Sequence, residues 1–434
     1  MSPFSVSPVR CEWTSRPWFA GPCALVPTGA FLLGLAGSAC LRAQVEREYF
    51  ARTPPYPVYQ APETARYNLK LGSLTARLSG NVQFEFSDNI NLSDKNPRAD
   101  LSIGPYAGLG FLWPVTRNHV LQLDLGIGYR WYLNSPDVSS IHIDPNTHLD
   151  YTIYIDDVRV TFRDRFSIQV DPVSRPELNG ATRNVTKFRR LNNISGLAVD
   201  WQATKDWELF GGYDFTVDRS LTSDFKDIDR EEHTWYAGVN YAVTPRVKVG
   251  VLGSYSITDY TQHVQNGAHS YSVGPTLVVK INKYLMATAS VAYTVSEFDR
   301  TGSILDGSNF EGPTYQLGLQ QVLTPRTSHH LRFAQALGLG IGSNFSETTL
   351  VQYGINTMLS KNVSLNGIMA YEHLSVSSGA GSESDRYLLY LGSGYQFSRE
   401  WSAGVSYSFS FRDAVTPGFS YVQNRLTLDL TRRF

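Results

Sequence analysis

Residues 401–412, WSAGVSYSFSFR, place Trp401, Ala403, Val405, Tyr407, Phe409 and Phe411 at every second position, with Ser402, Gly404, Ser406, Ser408, Ser410 and Arg412 between them. A period of two is a β-strand whose two faces meet different surroundings. The alternation recurs from about Leu71 to Phe434. In 74–87, Leu74, Ala76, Leu78, Val82, Phe84 and Phe86 share one face, and Thr75, Arg77, Ser79, Asn81, Gln83 and Glu85 the other. The segments 120–133 and 246–257 repeat the pattern. No 3.6-residue stripe and no long apolar run interrupts it, so this part of the chain reads as all-β.

Short turns of one chemical type join the strands in pairs: 114–118, 203–206, 244–246, 282–283, 324–326, 360–362 and 398–400, with another at Asp156-Asp157. They recur about every 38 residues, a period also found in solenoids and propellers. Here each unit is two strands, one tight turn and one longer polar connection. The longer connections, near 87–100, 134–146, 170–187, 217–230, 259–268, 299–310, 377–384 and 413–419, with a shorter one near 343–347, all fall at the other end. The count is eighteen strands. This predicts a transmembrane, up-and-down antiparallel β-barrel of 16–18 strands, with short periplasmic turns and longer external loops.

Composition decides between lipid and a soluble core. Only 18% of the residues are charged and 13% are aromatic, whereas an average soluble domain carries about 25% charged residues. Eighteen apolar faces would each need a partner in a soluble core; lipid needs none. The rings stand at two levels. Trp113, Trp201, Trp207, Phe397 and Trp401 flank short turns, and Tyr129, Trp131, Tyr213, Phe215, Tyr255, Tyr371, Phe409 and Phe411 follow higher on the strands. With about 3.4 Å per residue and a tilt near 45°, the levels lie roughly 19–24 Å apart, close to the ~25 Å apolar band of such barrels. Trp113, Trp131, Trp201, Trp207, Tyr213, Tyr255, Tyr371 and Trp401 are therefore the expected aromatic girdle. The net charge of −1 gives no reason to expect nucleic acid.

Cys11, Cys23 and Cys40 all lie near the front, around Arg10, Arg16 and the apolar run 29–39. That run is too short to span a bilayer, which takes about 20 residues. Residues 1–43 read as a signal peptide cut after Ala43, which leaves a cysteine-free mature chain. Cys40 as a lipid acceptor is the alternative, although Gly37 stands where such a site has a larger aliphatic residue. Residues 44–70, rich in proline, read as a periplasmic lead-in, and 71–434 as the barrel.

Parity turns Arg77, Glu85, Asp124, Arg130, Arg159, Arg163, Arg165, Arg190, Glu208, Asp214, Lys248, Arg332, Glu372, Arg412, Arg425 and Asp429 toward the lumen. A barrel of this size encloses water rather than side chains alone. Two readings are open. Arg159, Arg163 and Arg165 form a constriction facing carboxylates, or the charges are a solvated set of pairs that stiffen the wall. Asp164 falls on the lipid side, where charge is costly, so a bulge is expected there.

No catalytic residue, metal site or cofactor is expected. His142, Asp144, His148 and Asp150 lie close together, but at a loop-to-strand junction and without a nucleophile. His329 and His330 sit beside a short turn. The run 224–232, DFKDIDREE, is either a solvated external loop or a divalent-cation site bridging lipopolysaccharide.

The chain ends RLTLDLTRRF, with Leu426, Leu428, Leu430 and Phe434 alternating up to the last residue. This resembles the signal read by the barrel assembly machinery, with Phe434 as its aromatic and Arg432 where an apolar residue is usual. The stretches 82–93 (VQFEFSDNINLS), 158–178 (VRVTFRDRFSIQVDPVSRPEL) and 189–201 (RRLNNISGLAVDW) together resemble the β-barrel porin type 2 family. The resemblance implies an outer-membrane barrel, with relatives associated with exopolysaccharide export, and brings no catalytic residues. The expectation is an outer-membrane channel of a Gram-negative-type bacterium for passive diffusion of small hydrophilic solutes. Exopolysaccharide export, or a structural or adhesive barrel, are the alternatives. Outer-membrane lipid, lipopolysaccharide, the assembly machinery and a small polar solute or polysaccharide are the expected partners; the oligomeric state is open.

Overall fold

A computed structural model describes residues 69–169, 188–377 and 383–434. The expected signal peptide 1–43, nearly all of the lead-in, and the connection 170–187 lie outside them. The strands are β1 (Leu74–Ser87), β2 (Asp100–Pro114), β3 (His119–Tyr132), β4 in two pieces (Ser140–Ile143 and His148–Ile155), β5 (Val158–Gln169) and β6 (Arg190–Trp201). They continue as β7 (Trp207–Ser220), β8 (Arg230–Thr244), β9 (Val247–Tyr260), β10 (Ala268–Lys280), β11 (Leu285–Phe298) and β12 (Phe310–Thr324). The last six are β13 (Thr327–Leu339), β14 (Phe345–Met358), β15 (Val363–Val376), β16 (Ser384–Gln396), β17 (Trp401–Ala414) and β18 (Tyr421–Arg433). Each pairs antiparallel with its chain neighbours, and β1 pairs with β18 from Ser79↔Arg433 to Ser87↔Arg425. The ring is closed, so no sheet edge is left to aggregate.

Eighteen positions in the ring match the sequence reading. The sheet holds 20 strand segments because both pieces of β4 pair with β3 in one position, and because Leu69–Leu71 adds a short extra segment. That segment turns at Gly72, whose φ of 62° favours glycine. It then pairs with Leu74–Ala76, the part of β1 that β18 does not reach.

The turn chemistry explains the short ends. Thr204 Oγ1 accepts the Asp206 and Trp207 N–H groups at 3.3 and 3.1 Å. Thr244, Ser360 and Ser398 accept from the backbone two and three residues on in the same way, and Asn282 Oδ1 does so at 2.7 and 3.0 Å. A side-chain oxygen at the first turn position fixes the reversal locally. The long connections are shorter than the sequence spacing suggests. Strand β7 runs to Ser220 and β14 starts at Phe345, because ladder pairing continues above the upper aromatic level.

The alternation is realised as read. On β17, Trp401, Val405 and Tyr407 are 36% to 43% exposed, whereas Ser402, Ser408, Ser410 and Arg412 are 2% to 9% exposed. The apolar face is outward. Near the short turns the outward rings include Trp113, Trp201, Trp207 and Trp401. The upper level is a hydrogen-bonded belt: Tyr213 meets His233 Nδ1 at 2.7 Å, Tyr255 meets His269 Nδ1 at 3.0 Å, and Tyr371 donates to Asp385 Oδ1 at 2.7 Å. Trp131 packs on Tyr129 at the same end of β3. Tyrosine suits this height because its ring faces outward while its hydroxyl reaches a polar partner, the arrangement favoured where an apolar and a wet layer meet.

The bulge expected at Asp164 is absent. The β5–β6 register runs unbroken through Arg163↔Gly196, Asp164↔Ser195 and Arg165↔Ile194. Asp164 does face outward, but at the height of Phe215 and His233, and Ser195 Oγ and Asn193 Nδ2 donate to it at 2.8 and 2.9 Å. Two donors on the next strand satisfy the carboxylate without a break in the ladder. Arg165 therefore keeps its inward parity.

Candidate functional site

Most lumen charges are held in the wall. Arg163 Nε and Nη2 meet the two oxygens of Asp214 at 3.0 and 2.5 Å, and Nη2 also meets Tyr236 at 3.1 Å. Arg159 grips Asp200 Oδ2 at 2.7 and 2.9 Å. Arg190 Nε meets Asp218 at 2.6 Å, and its other nitrogens meet the Phe225 and Ile228 carbonyls. Arg130 spans Glu85, Gln83 and Tyr106. Arg77 pairs with Asp124 at 3.0 Å, and Lys248 with Glu208 at 2.8 Å. These pairs, some between adjacent strands and some reaching over one strand to the next but one, brace the ring. They favour the wall-stiffening reading of Arg159 and Arg163 over a constriction.

The Arg163–Asp214 pair is 8% and 0% exposed. Removing one partner of a buried pair costs roughly 3–5 kcal/mol, because the other is left uncompensated. Asp214→Ala is expected to lower the unfolding midpoint, read as the temperature at which the compact barrel band disappears from a gel. An unchanged midpoint would mean that the pair is hydrated.

Positive charge gathers elsewhere, on β16–β18. Arg386 lies directly opposite Arg412 in the β16–β17 register, and Arg412 opposite Tyr421. Arg425 lies opposite Ser408 on β17 and Ser87 on β1, two inward positions below Tyr421. Glu372 takes Arg386 through Nε at 2.8 Å and through Nη2. Lower on β18, Asp429 faces the lumen beside Asn81. The wall across the ring is lined by hydroxyls, as in the Ser270–Ser296 and Thr294–Thr314 pairs at 2.7 and 3.1 Å. Arg332, on β13, reaches Gln316.

The mouth is crossed by residues 88–99, the connection between β1 and β2. Asn89 pins its base: Nδ2 donates to the Ser93 and Val422 carbonyls at 2.8 Å each, and Oδ1 accepts Ser93 N–H at 3.0 Å. At the tip, Leu92 adopts a φ of 48°. It packs against Leu350, Ile368, Ala370, Leu388 and Tyr390 on β14–β16. It also packs against Phe188, Phe225, Ile228 and Tyr260, joined there by Leu339 and Ile341. Those two groups belong to opposite sides of the ring, so one loop bridges the opening.

A second set of connections is locked around Asp306. Its carboxylate accepts Asn344 N–H at 2.8 Å and Ser377 Oγ at 2.5 Å, and its carbonyl accepts Asn266 Nδ2 at 3.0 Å. Burial pushes this carboxyl up, but the donors from Asn344, Ser377 and Ser308 outweigh burial and hold it below the ordinary value. A lowered folded pKa contributes stability that is fully present above the unfolded value, about 4, and is lost as pH falls through the folded value. The loop lock is expected to hold from neutral pH down to that range and to loosen only below it, read as current fluctuations of single channels. Asp306→Asn is expected to fluctuate at every pH; a pH response centred near neutrality would contradict this assignment.

The other sequence candidates are structural in their settings. His142 packs edge-on against Tyr106, with ring centroids 5.7 Å apart. His148 instead lies 3.6 Å from Asp124 and 3.8 Å from Asp150, across the break between the pieces of β4. His329 contacts Gln321 at 2.9 Å, and His330 lies against Gly354. Among the described residues no group of three or more His, Cys, Asp and Glu could hold a metal. The run 224–232 is neither simply solvated nor an open cation site. Phe225 and Ile228 are buried in the mouth cluster, Asp229 lies 3.5 Å from Arg190, and Glu231 pairs with Arg219.

Arg386, Leu92 and Asp306 were absent from the sequence candidates. A signal for the first two existed. In 365–374 and 386–391 the alternation fails and both faces turn apolar, as at Leu388 and Leu391. That inward apolar patch is where Leu92 lands.

No known family model matches the chain, and no curated protein matches it. Solved structures do. A BenF-like porin from Pseudomonas fluorescens Pf-5 aligns with TM-score 0.49 and 10% identity over 84% of this chain and 100% of that one. Pseudomonas aeruginosa OccK2 (OpdF) in complex with glucuronate aligns with TM-score 0.47 and 8% identity over 83% and 98%. The outer membrane protein OpdK from Pseudomonas aeruginosa aligns with TM-score 0.47 and 11% identity over 83% and 99%.

Proposed function

We propose that the chain forms an outer-membrane channel that passes small hydrophilic solutes, with a preference for anions. The observation that carries this reading is the upper lumen: Arg412 and Arg425 stand inward on β17 and β18, beside Arg386, which Glu372 holds, beneath a loop that narrows the mouth. A water-filled tube with one sign of charge in excess favours the opposite ion. Membership of the β-barrel porin type 2 family, and export through a leader ending at Ala43, belong to the same proposal. Conductance of the purified barrel in planar bilayers, with reversal potentials in a salt gradient, tests it. Absence of conductance would leave a plugged, structural barrel.

A second reading, outer-membrane passage of an exopolysaccharide, has one observation in its favour. Lumen tyrosines accompany arginines, as in Tyr236 with Arg163 at 3.1 Å and Tyr106 with Arg130 at 3.3 Å. Such pairs suit sugar hydroxyls and ring faces. The loop packed across the mouth weighs against threading of a continuous chain, so the small-solute channel is preferred.

A further inference from the structure

The outward face of β18 carries a single charged residue, Arg432, below the apolar positions Leu426, Leu428 and Leu430. In the register it stands between Trp401 on β17 and Gly80 on β1. Its guanidinium carbon lies 5.4 Å from the Trp401 ring centre and 4.8 Å from that of Phe434. The Phe434 ring reaches over Gly80, coming within 3.5 Å of where a Cβ would stand, an ordinary contact distance. Trp401 and Phe434 are 38% and 54% exposed, and Phe434 N–H donates to the Leu78 carbonyl at 3.0 Å. Arg432 is thus held by two rings at the seam that closes the barrel, at the height of the lower girdle.

Among the described residues Arg432 forms no ion pair. A cation at the lipid boundary is stabilised by an anionic partner. Ring contacts on a planar guanidinium leave its edge N–H donors available, and that edge matches two oxygens of a phosphate. The surroundings supply the same sign. Arg399 lies in the turn beside Trp401, and Arg117, Lys205, Arg246, Lys283, Arg326 and Lys361 stand exposed in six other short turns. The carboxylates at this end, Asp156, Asp157, Asp206 and Glu400, are fewer. At the opposite end the outward face carries acids such as Asp259, Glu311 and Glu347. Charge therefore favours anionic headgroups in one leaflet only.

We infer that Arg432, clamped between Trp401 and Phe434, binds the phosphate of an anionic phospholipid headgroup in the leaflet on the short-turn side. This site is independent of what passes through the lumen. The test is native mass spectrometry of the full folded chain with added phosphatidylglycerol or phosphatidylcholine. Arg432→Leu continues the apolar alternation and is expected to keep the compact, heat-modifiable gel band. Its retention of phosphatidylglycerol is expected to fall about tenfold, the scale of one charge-assisted contact, with phosphatidylcholine unaffected. Lys283→Gln, at a distant turn, is expected to retain the tightly held lipid. Wild-type retention by Arg432→Leu, or equal retention of the two lipids, would overturn the assignment. So would displacement of the lipid by inorganic phosphate at equal concentration, or Arg432-dependent sedimentation with peptidoglycan in the absence of any lipid preference. Should Arg432→Leu not fold, Arg432→Lys replaces it: a point charge lacking the fork is expected to keep the band and the preference for phosphatidylglycerol but to hold that lipid severalfold less tightly, and wild-type retention would sink the clamp.

Discussion

Excising residues 91–97 is expected to raise single-channel conductance by roughly two- to threefold, since current follows the cross-section left open to water. The ends of the excision are already close, because Ile90 N–H donates to the Arg98 carbonyl at 2.9 Å. Pinning by Asn89 precedes the cut and survives in part through the Val422 carbonyl. Leu92 is the residue that ties the loop to both sides of the ring. Leu92→Gly suits the φ of 48° and removes only the side chain, so it isolates the packing. It is expected to give an intermediate conductance with more frequent fluctuations. Unchanged conductance in the excised protein would show that the narrowing lies deeper, and the role assigned to this loop would fall.

Neutralising Arg412 and Arg425 together is expected to remove the anion preference. A unit charge about 4 Å from a permeating ion is worth about 1 kcal/mol in water, which corresponds to about fivefold in selectivity per residue. The double variant Arg412→Gln/Arg425→Gln should therefore shift the anion-to-cation permeability ratio by up to about 25-fold, read from the reversal potential. Arg159→Gln is the contrasting case. It lies at the short-turn end of β5, one residue from Val158 and far from the narrowed mouth, so it is expected to move the reversal potential little. If Arg159→Gln shifted selectivity as much as the double variant, the charge assignment of the two walls would be wrong.

Much of this fold is legible from neighbouring residues alone. In 401–412 every second side chain is apolar, and the structure turns those outward. The turn oxygens of Thr204, Thr244, Asn282, Ser360 and Ser398 bond within three residues of themselves, so their spacing counts hairpins without any tertiary information. Parity also turned Arg163, Arg190 and Asp214 inward. It overreached at Asp164, because cost in lipid was weighed without the donors Ser195 and Asn193 on the next strand. It also missed Arg386, whose strand is apolar on both faces.

A local period determined the all-β character, the strand number, the two ends and the side of each residue. These depend only on the pleat, on turn chemistry and on the low charge of the outward face. The tertiary structure alone decided which arginines are matched by carboxylates, and that residues 88–99 lie across the mouth. Arg163 meets Asp214 two strands away, and Leu92 packs against a cluster on β14–β16 more than 250 residues along the chain. Contacts of that kind depend on the register of separate hairpins and on ring closure, and no period within one strand encodes them.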